Sequence, residues 1–459
     1  MQRLLCILLL CVAAKPSPAQ TYTLLASFNN AGSNPEATLV QGFDGNLYGT
    51  TLDSENGDGT IFKVTPEGVL ATLYDFTNQN IGYTRSTLIQ GTDGILYGTT
   101  TAGPPMCSGF CGTIFAITPG GTLTTLHTFS RPDGNEPLSL VQAANGDFYG
   151  VSGHGGRSSS CDLGCGTLFK ITATGDFVTL HNFDGSDGEV PNGPLIQAYN
   201  GNLYGTALDV SGILIAGGTA FRLTAGGAFT TVHSFDPANG GPVNGLVQAA
   251  DGTFYGTIAD GPGTECLGQG CGAVFKLTPS GAFTTLHTFD GLDGGSPNGP
   301  LVAATDGNFY STGFLGGTSS LGTIFKITPA GHLTTLFNFD ATTGSPAAGL
   351  IQATDGNFYG TTADGGAANA GSVFRFSVGL GPFVKTLPVA GKVGTTVHIL
   401  GTNLTAPVSV TFNGTPATVT AVSPSQIIAT VPSGATTGKV AVTMPTGTLL
   451  SNTVFQVRQ

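Results

Sequence analysis

One block of residues recurs at near-constant spacing along most of the chain, and it constrains the fold more than any other feature. Asp44-Gly45-Asn46-Leu47-Tyr48-Gly49 returns in variants around Tyr97, Tyr149, Tyr204, Tyr255, Tyr310 and Tyr359, at steps of 49, 52, 55, 51, 55 and 49 residues. A second block, typified by Gly322-Thr323-Ile324-Phe325-Lys326-Ile327-Thr328, aligns Phe62, Phe115, Phe169, Phe221, Phe275, Phe325 and Phe374. A third, typified by Leu286-His287-Thr288-Phe289, aligns Phe28, Phe76, Phe129, Phe183, Phe235, Phe289 and Phe339. Such a period marks supersecondary units that bury their apolar faces only against one another.

Each unit holds four short apolar or β-branched runs separated by turn chemistry, a pattern of strands rather than helices. In the fifth unit strand a spans 245–250, strand b 253–258, strand c 273–278 and strand d 282–289. Asp251-Gly252 joins a to b and accepts the positive φ of a tight hairpin, while Pro279-Ser280-Gly281 turns c into d. The unit is a four-stranded antiparallel meander, and seven such units predict an all-β, seven-bladed β-propeller over residues 20–379. A lone strand d at 22–28 precedes the first tyrosine, and the last unit stops at Phe374 without one. The N-terminal strand is therefore expected to complete the seventh blade, which removes an open sheet edge.

Blades packed face to face bury both sides of their strands, which accounts for a chain of 459 residues with only 9% charged residues and 72 Gly. The tyrosine and two phenylalanine columns hold 21 of the 40 aromatic residues and read as inter-blade core. The Gly after each tyrosine, replaced only by Ser311, reads as room for a neighbouring backbone. So apolar a composition excludes intrinsic disorder. Mean hydropathy is +0.20, yet the one long apolar run, residues 4–14, is too short to span a bilayer.

That run lies between Arg3 and Ser17-Pro18-Ala19, the layout of an export signal over residues 1–19 with a mature start at Gln20. Lipidation at Cys11 is the rival reading, disfavoured by Leu10 in the place of a small residue. Export makes the remaining cysteines candidates for disulfides: Cys107 with Cys111, Cys161 with Cys165, and Cys266 with Cys271. Zinc is the alternative, but it needs four converging ligands and only His154 lies near a pair.

From Phe383 the repeat stops, and no Asp or Glu occurs again. Residues 20–379 carry nine basic and 27 acidic residues, a formal −18, whereas the remainder carries only Lys385, Lys392, Lys439 and Arg458. Alternating runs at 395–400 and 408–412, with turns at Asn413-Gly414 and Ser433-Gly434, predict a small β-sandwich as a separate domain. Gly394-Thr395, Gly401-Thr402-Asn403-Leu404, Val410-Thr411-Phe412-Asn413-Gly414, Ala429-Thr430-Val431-Pro432 and Phe455-Gln456-Val457 resemble the IPT/TIG immunoglobulin-like domain across 382–458. The Asp-Gly-Asn-Phe-Tyr-Gly-Thr-Thr and Gly-Thr-Ile-Phe-Lys-Ile-Thr-Pro blocks resemble the GloVer (Gloeo-Verruco) tandem repeat of exported bacterial proteins over residues 21–376. Members of that family often carry a C-terminal anchor. Here only Arg458 and Gln459 follow Val457, so the resemblance implies release from the cell or retention through the IPT/TIG domain.

In a meander the b–c and d–a links share one end of the blade, opposite the tight a–b and c–d turns. On the link end fall His154 with Arg157 and the acids Asp184, Asp187, Glu189, Asp290 and Asp293, the candidate ligand-binding residues, besides Asp133, Glu136, Asp236, Asp340 and the six cysteines. Neither a catalytic set nor a metal set nor a cofactor motif is assigned. Ca²⁺ is the ion an oxygen-rich rim would suit, although 184–189 lacks the EF-hand spacing. The competing reading is a solvated rim whose Asp and Gly serve turns. His127, His181, His233 and His287 recur at one position of strand d; symmetric positions cannot form one catalytic cluster, so structural hydrogen bonds are expected. Gln41, Gln90, Gln142, Gln197, Gln248 and Gln352 recur in strand a, with Ala303 the exception, and are expected to stabilise the ring through their amides.

Two functions fit these observations. The first is an exported non-catalytic binding protein, a secreted or cell-surface monomer that presents its link-bearing face to an extracellular glycan, peptide or surface partner. The IPT/TIG domain would then be a spacer or second contact. The second is a propeller enzyme such as a streptogramin-inactivating lyase, whose repeats also carry an Asp-Gly-Asn-Leu block; it requires His154, Glu189 and neighbouring acids to converge. The absence of Trp weakens a sugar-stacking lectin. A formal −18 on the larger domain excludes nucleic acid, because phosphate neutralisation needs a basic face.

Overall fold

The computed structural model describes residues 20–458, apart from 30–31, 56, 78–82, 85, 102–110, 212–213, 237–239, 260, 262–265 and 267–269. The expected export signal, 1–19, lies outside the described residues. Among those described the chain is all β, without a helix.

Seven consecutive antiparallel sheets carry the repeat. In the fifth, strands Pro242–Gln248, Phe254–Ile258, Ala273–Leu277 and Phe283–Thr288 pair in sequence order. The a–b turn closes where Gly252 takes φ 86° and donates its N–H to the Ala249 carbonyl. A bulge recurs at one place in strands c and d, inserting Leu286 between the pairs Val274–His287 and Phe275–Thr285. The seventh sheet is completed by Thr21–Ser27, which pairs with Ser372–Ser377, so the expected closing strand is in place.

Packing follows the aromatic columns. Both phenylalanine columns are buried throughout, as are six of the seven tyrosines; Tyr149 is half-buried. Each core cluster spans two consecutive sheets: Tyr255, Phe289, Phe309 and Phe325 join the fifth to the sixth. Phe28, Leu47, Phe62, Tyr359 and Val373 join the seventh back to the first. The glycines after the tyrosines make room chiefly for the phenylalanine of their own sheet, and at Gly150 for a neighbouring backbone as well, since a Cβ there would collide with Ser139 O. A Cβ on Gly49 would lie 2.6 Å from the Phe62 ring, so this glycine makes room for the phenylalanine of its own sheet rather than for a neighbouring backbone. Neighbouring backbones do meet at Gly299 and Gly349, where a side chain on either would collide with the other sheet.

The C-terminal sandwich has one sheet of Lys385–Leu387, Thr396–Leu400, Gln426–Thr430 and Thr418–Val422, and a second built on Ser409–Phe412 and Val440–Met444. Val397, Ile399, Val410, Phe412, Ile427, Val442 and Phe455 fill the space between them.

Candidate functional site

The two ends of the sheets differ in chemistry. At the hairpin end, each strand-a glutamine bridges two sheets. Gln90 Oε1 accepts from Phe43 N at 2.8 Å, while its Nε2 donates to Gly94 O at 3.0 Å in its own hairpin. The pattern repeats at Gln142, Gln197, Gln248 and Gln352, and Gln41 accepts from Thr354 N at 3.0 Å, tying the seventh sheet to the first. Tyr48, Tyr97, Tyr310 and Tyr359 donate their hydroxyls to the hairpin aspartates Asp44, Asp93, Asp306 and Asp355 at 2.6–2.9 Å. Desolvation, added to the neighbouring carboxylates, drives all four phenols far above their ordinary value.

The sandwich docks on this hairpin end. Ser425 Oγ donates to Phe43 O at 2.7 Å, the His398 ring stacks on Phe43 at 4.7 Å, and Phe383 N donates to Thr354 O at 3.0 Å. The Arg458 guanidinium approaches Gly201. Lys385 lies near Asp355; burial lowers its ammonium to about 8 against the opposing pull of that carboxylate. The sandwich, expected as a spacer or second contact, is thus packed against the array, and its Lys385 faces the acidic hairpin at Asp355.

The opposite, loop end holds the residues singled out in the sequence. His127, His181 and His287 place Nε2 at 3.2, 2.6 and 2.6 Å from the carboxylates of Asp133, Asp187 and Asp293. Each aspartate also accepts a backbone N–H from the start of its turn, at Ser130, Asp184 and Asp290. The His127 and His181 rings stack on Phe177 and Phe229 of the following sheet, with centroids 3.9 and 3.8 Å apart. Burial pushes the Asp133 and Asp293 carboxyls up, but the histidine and backbone bonds outweigh it and hold both below the usual carboxylate range. Asp187 and Asp293, offered as ligand-binding residues, are therefore engaged in pinning turns. Asp184 and Asp290 form turns through their Oδ1 atoms, accepting from Ser186 and Leu292 N–H groups at 2.9 Å. Asp340 is held at about 2 by the hydroxyl and N–H of Thr342 and the N–H of Thr343.

Cys161–Cys165 and Cys266–Cys271 are disulfides, and Cys111 is disulfide-bonded as well; its expected partner Cys107 lies outside the described residues. Each crosslinked loop buttresses the next sheet: Cys165 O accepts from Val190 N at 3.2 Å, and Cys271 O from Ser296 N at 2.7 Å. Glu189 Oε2 lies 2.9 Å from Cys161 Sγ, and the two sulfurs and this carboxylate fall within 4.8 Å of one another. With the sulfurs bonded to each other, no thiolate is there to ligate a metal.

His154 Nε2 lies 3.7 Å from Glu136 Oε2 rather than beside Glu189. Arg157 N donates to Asn182 Oδ1 at 2.9 Å, and Arg131, 3.1 Å from Asp162 O through its guanidinium, joins it along an open groove with Ser158 and Ser159. Sequence reasoning missed Arg131; its signal is a non-repeating cation in a d–a link. It also missed Asn244 and Asn298, whose amides donate across sheets to Pro297 O at 2.7 Å and Pro346 O at 3.0 Å. For Asn298 the signal was the Pro-Asn-Gly shared by 191–193 and 297–299.

An all-β repeat array with a docked immunoglobulin-like sandwich defines the class. The Gloeobacter/Verrucomicrobia repeat matches three times, over residues 12–160, 106–266 and 244–415, and the chain belongs to that repeat family. An IPT/TIG domain matches at 383–457. No curated protein matches the chain. Among solved structures it is similar to the extracellular domain of a Bacteroides thetaiotaomicron protein described as a one-component system, at 10% identity and a TM-score of 0.50. That likeness covers 94% of this chain and 57% of the other, so the chain spans little more than half the length of that structure. A Bacteroides thetaiotaomicron protein of unknown function is 13% identical, covering 78% of this chain and 76% of that one at a TM-score of 0.43. A Xanthomonas campestris gluconolactonase is 13% identical, covering 64% and 86% at a TM-score of 0.40. At 10% identity, the likeness to the extracellular domain speaks for architecture alone.

Proposed function

We propose that the seven sheets form a seven-bladed β-propeller and that the protein is an exported, non-catalytic binding protein, its loop end turned toward an extracellular glycan, peptide or surface partner. The observation that carries this reading is the docking of the sandwich on the hairpin end, which leaves the loop end exposed. There the groove along Arg131, Arg157, Ser158 and Ser159 offers cationic and hydroxyl donors on a frame pinned by His–Asp pairs and disulfides. Rigid support of variable links is how scaffolds carry recognition. Disulfides support an oxidising, extracellular setting. Among the described residues no helix is long and apolar enough to cross a membrane. The lyase alternative lacks comparable support, because His154 pairs with Glu136 while Glu189 stands at Cys161.

The test is a glycan and cell-envelope binding screen with the full chain, with and without Ca²⁺, alongside an Arg131→Ala/Arg157→Ala variant. Binding that drops about tenfold or more in the variant is expected. No retention on any glycan or envelope fraction overturns the reading.

A further inference from the structure

The glutamine ladder has one gap. At six places around the array, the residue two positions after the strand-a glutamine, or after Ala303 in its place, donates its N–H to the glutamine of the next sheet: Phe43 to Gln90, Thr92 to Gln142, Ala144 to Gln197, Tyr199 to Gln248, Thr305 to Gln352 and Thr354 to Gln41. By that register Ala250 N–H should meet the next strand-a residue, but Ala303 stands there and offers no amide. Ala250 N–H has no protein acceptor among the described residues. A glutamine-sized space and a free donor are left at one place in the ladder.

A cavity of about 340 Å³ opens at that place, within the size range of small-molecule sites. Its floor includes Tyr199, Ala250, Asp251 and Ala303, and its roof comes from the docked sandwich through Lys439 and Asn452. Lys439 Nζ donates to Ser451 O at 2.9 Å and Asn452 O at 2.6 Å. An ammonium has three donors, so one remains after those carbonyls are served. The wall thus combines a solvent-facing backbone N–H, without a protein acceptor among the described residues, and a cation with a carboxylate and a phenol suited to hydroxyl groups.

We propose that this cavity binds a small hydroxylated carboxylate of the sugar-acid type. The ligand carboxylate takes the place of the missing glutamine oxygen, accepting from Ala250 N–H and Lys439, while its hydroxyls donate to Asp251 and meet Tyr199. The site lies at the opposite end of the array from the loop groove and is independent of any partner bound there.

Titration calorimetry of the full chain with D-glucuronate, and with D-glucose as the uncharged counterpart, tests the assignment. Glucuronate is expected to bind, with glucose and the Lys439→Met variant each at least about tenfold weaker, the loss of one charge-assisted bond. Ala303→Gln completes the ladder and fills the space with the side chain found at the six equivalent positions. It should abolish glucuronate binding while the thermal midpoint stays level or rises, which separates loss of the site from loss of the fold. Absence of glucuronate binding by the unaltered chain, equal binding of glucose, or undiminished binding by Ala303→Gln or Lys439→Met would each overturn the proposal.

Discussion

The two ends of the same seven sheets are built differently. At the hairpin end the turns repeat almost without variation, since every glutamine must meet the backbone of the next sheet in the same geometry. At the loop end the links differ in length and content, and each is held by its own devices: a His–Asp pair in some, a disulfide in others. Uniformity gives an interlocked face on which a second domain can seat. Variation, with local pinning, gives a face free to change without disturbing its neighbours. The contrast places assembly at one end and, on the function proposed above, recognition at the other.

The harshest test abolishes the frame on which both ends depend. Tyr22, on the closing strand, stacks on Phe337 at 4.6 Å and Phe374 at 5.2 Å. Tyr22 is half-buried, so Tyr22→Ala should cost about 2–4 kcal/mol in urea unfolding, somewhat below the range for a fully buried aromatic truncated to Ala. A loss below about 1 kcal/mol would show that the array does not rely on its closing strand. Next in size, reduction of the disulfides should destabilise by about 2 kcal/mol per crosslink on the chain-entropy estimate. Hydrogen exchange should then rise at the loop end alone; a rise at the hairpins would break the division between the ends. Conversely, Gln352→Ala removes the acceptor of Thr305 N–H and should cost about 1–2 kcal/mol, with faster exchange confined to the hairpin end.

The smallest expected effect is a pH dependence. Asp133 and Asp293 titrate below the ordinary carboxylate value when folded, so their contribution is complete above about pH 4 and is lost as pH falls through the depressed values. His127→Asn and His287→Asn should each flatten the acid limb of a thermal-midpoint titration, by less than about 1 kcal/mol because the pairs are partly exposed. An unchanged acid limb would mean that the pairs pin nothing.

Much of this molecule was legible in the residues. Strand order, the four-stranded unit and the closing strand followed from period and turn chemistry, which are local in sequence. The histidines and glutamines were legible as structural for a related reason: four histidines and six glutamines recurring at equivalent positions of successive units are incompatible with one reacting centre. The acids of the loop end were harder to read. Asp187 and Asp293 look like free carboxylates in a Gly-rich link, and only the turn carries each back to the histidine six positions earlier. The glycine after the tyrosine was legible only in part, because whether its space belongs to the sheet's own phenylalanine, as at Gly49, or also to a neighbouring backbone, as at Gly150, depends on how the strands pack.

The sequence by itself determined an all-β repeat chain, its disulfide-bearing links and its immunoglobulin-like tail, since alternation, spacing and turn residues act over a few positions. Only the tertiary structure decided that the tail folds back on the hairpin end, that Arg131 and Arg157 share one groove, and that Ala303 opens a cavity beneath Lys439. Those facts join residues tens to hundreds of positions apart. The packing that brings them together is set by the summed fit of many surfaces, which leaves no mark at any one position.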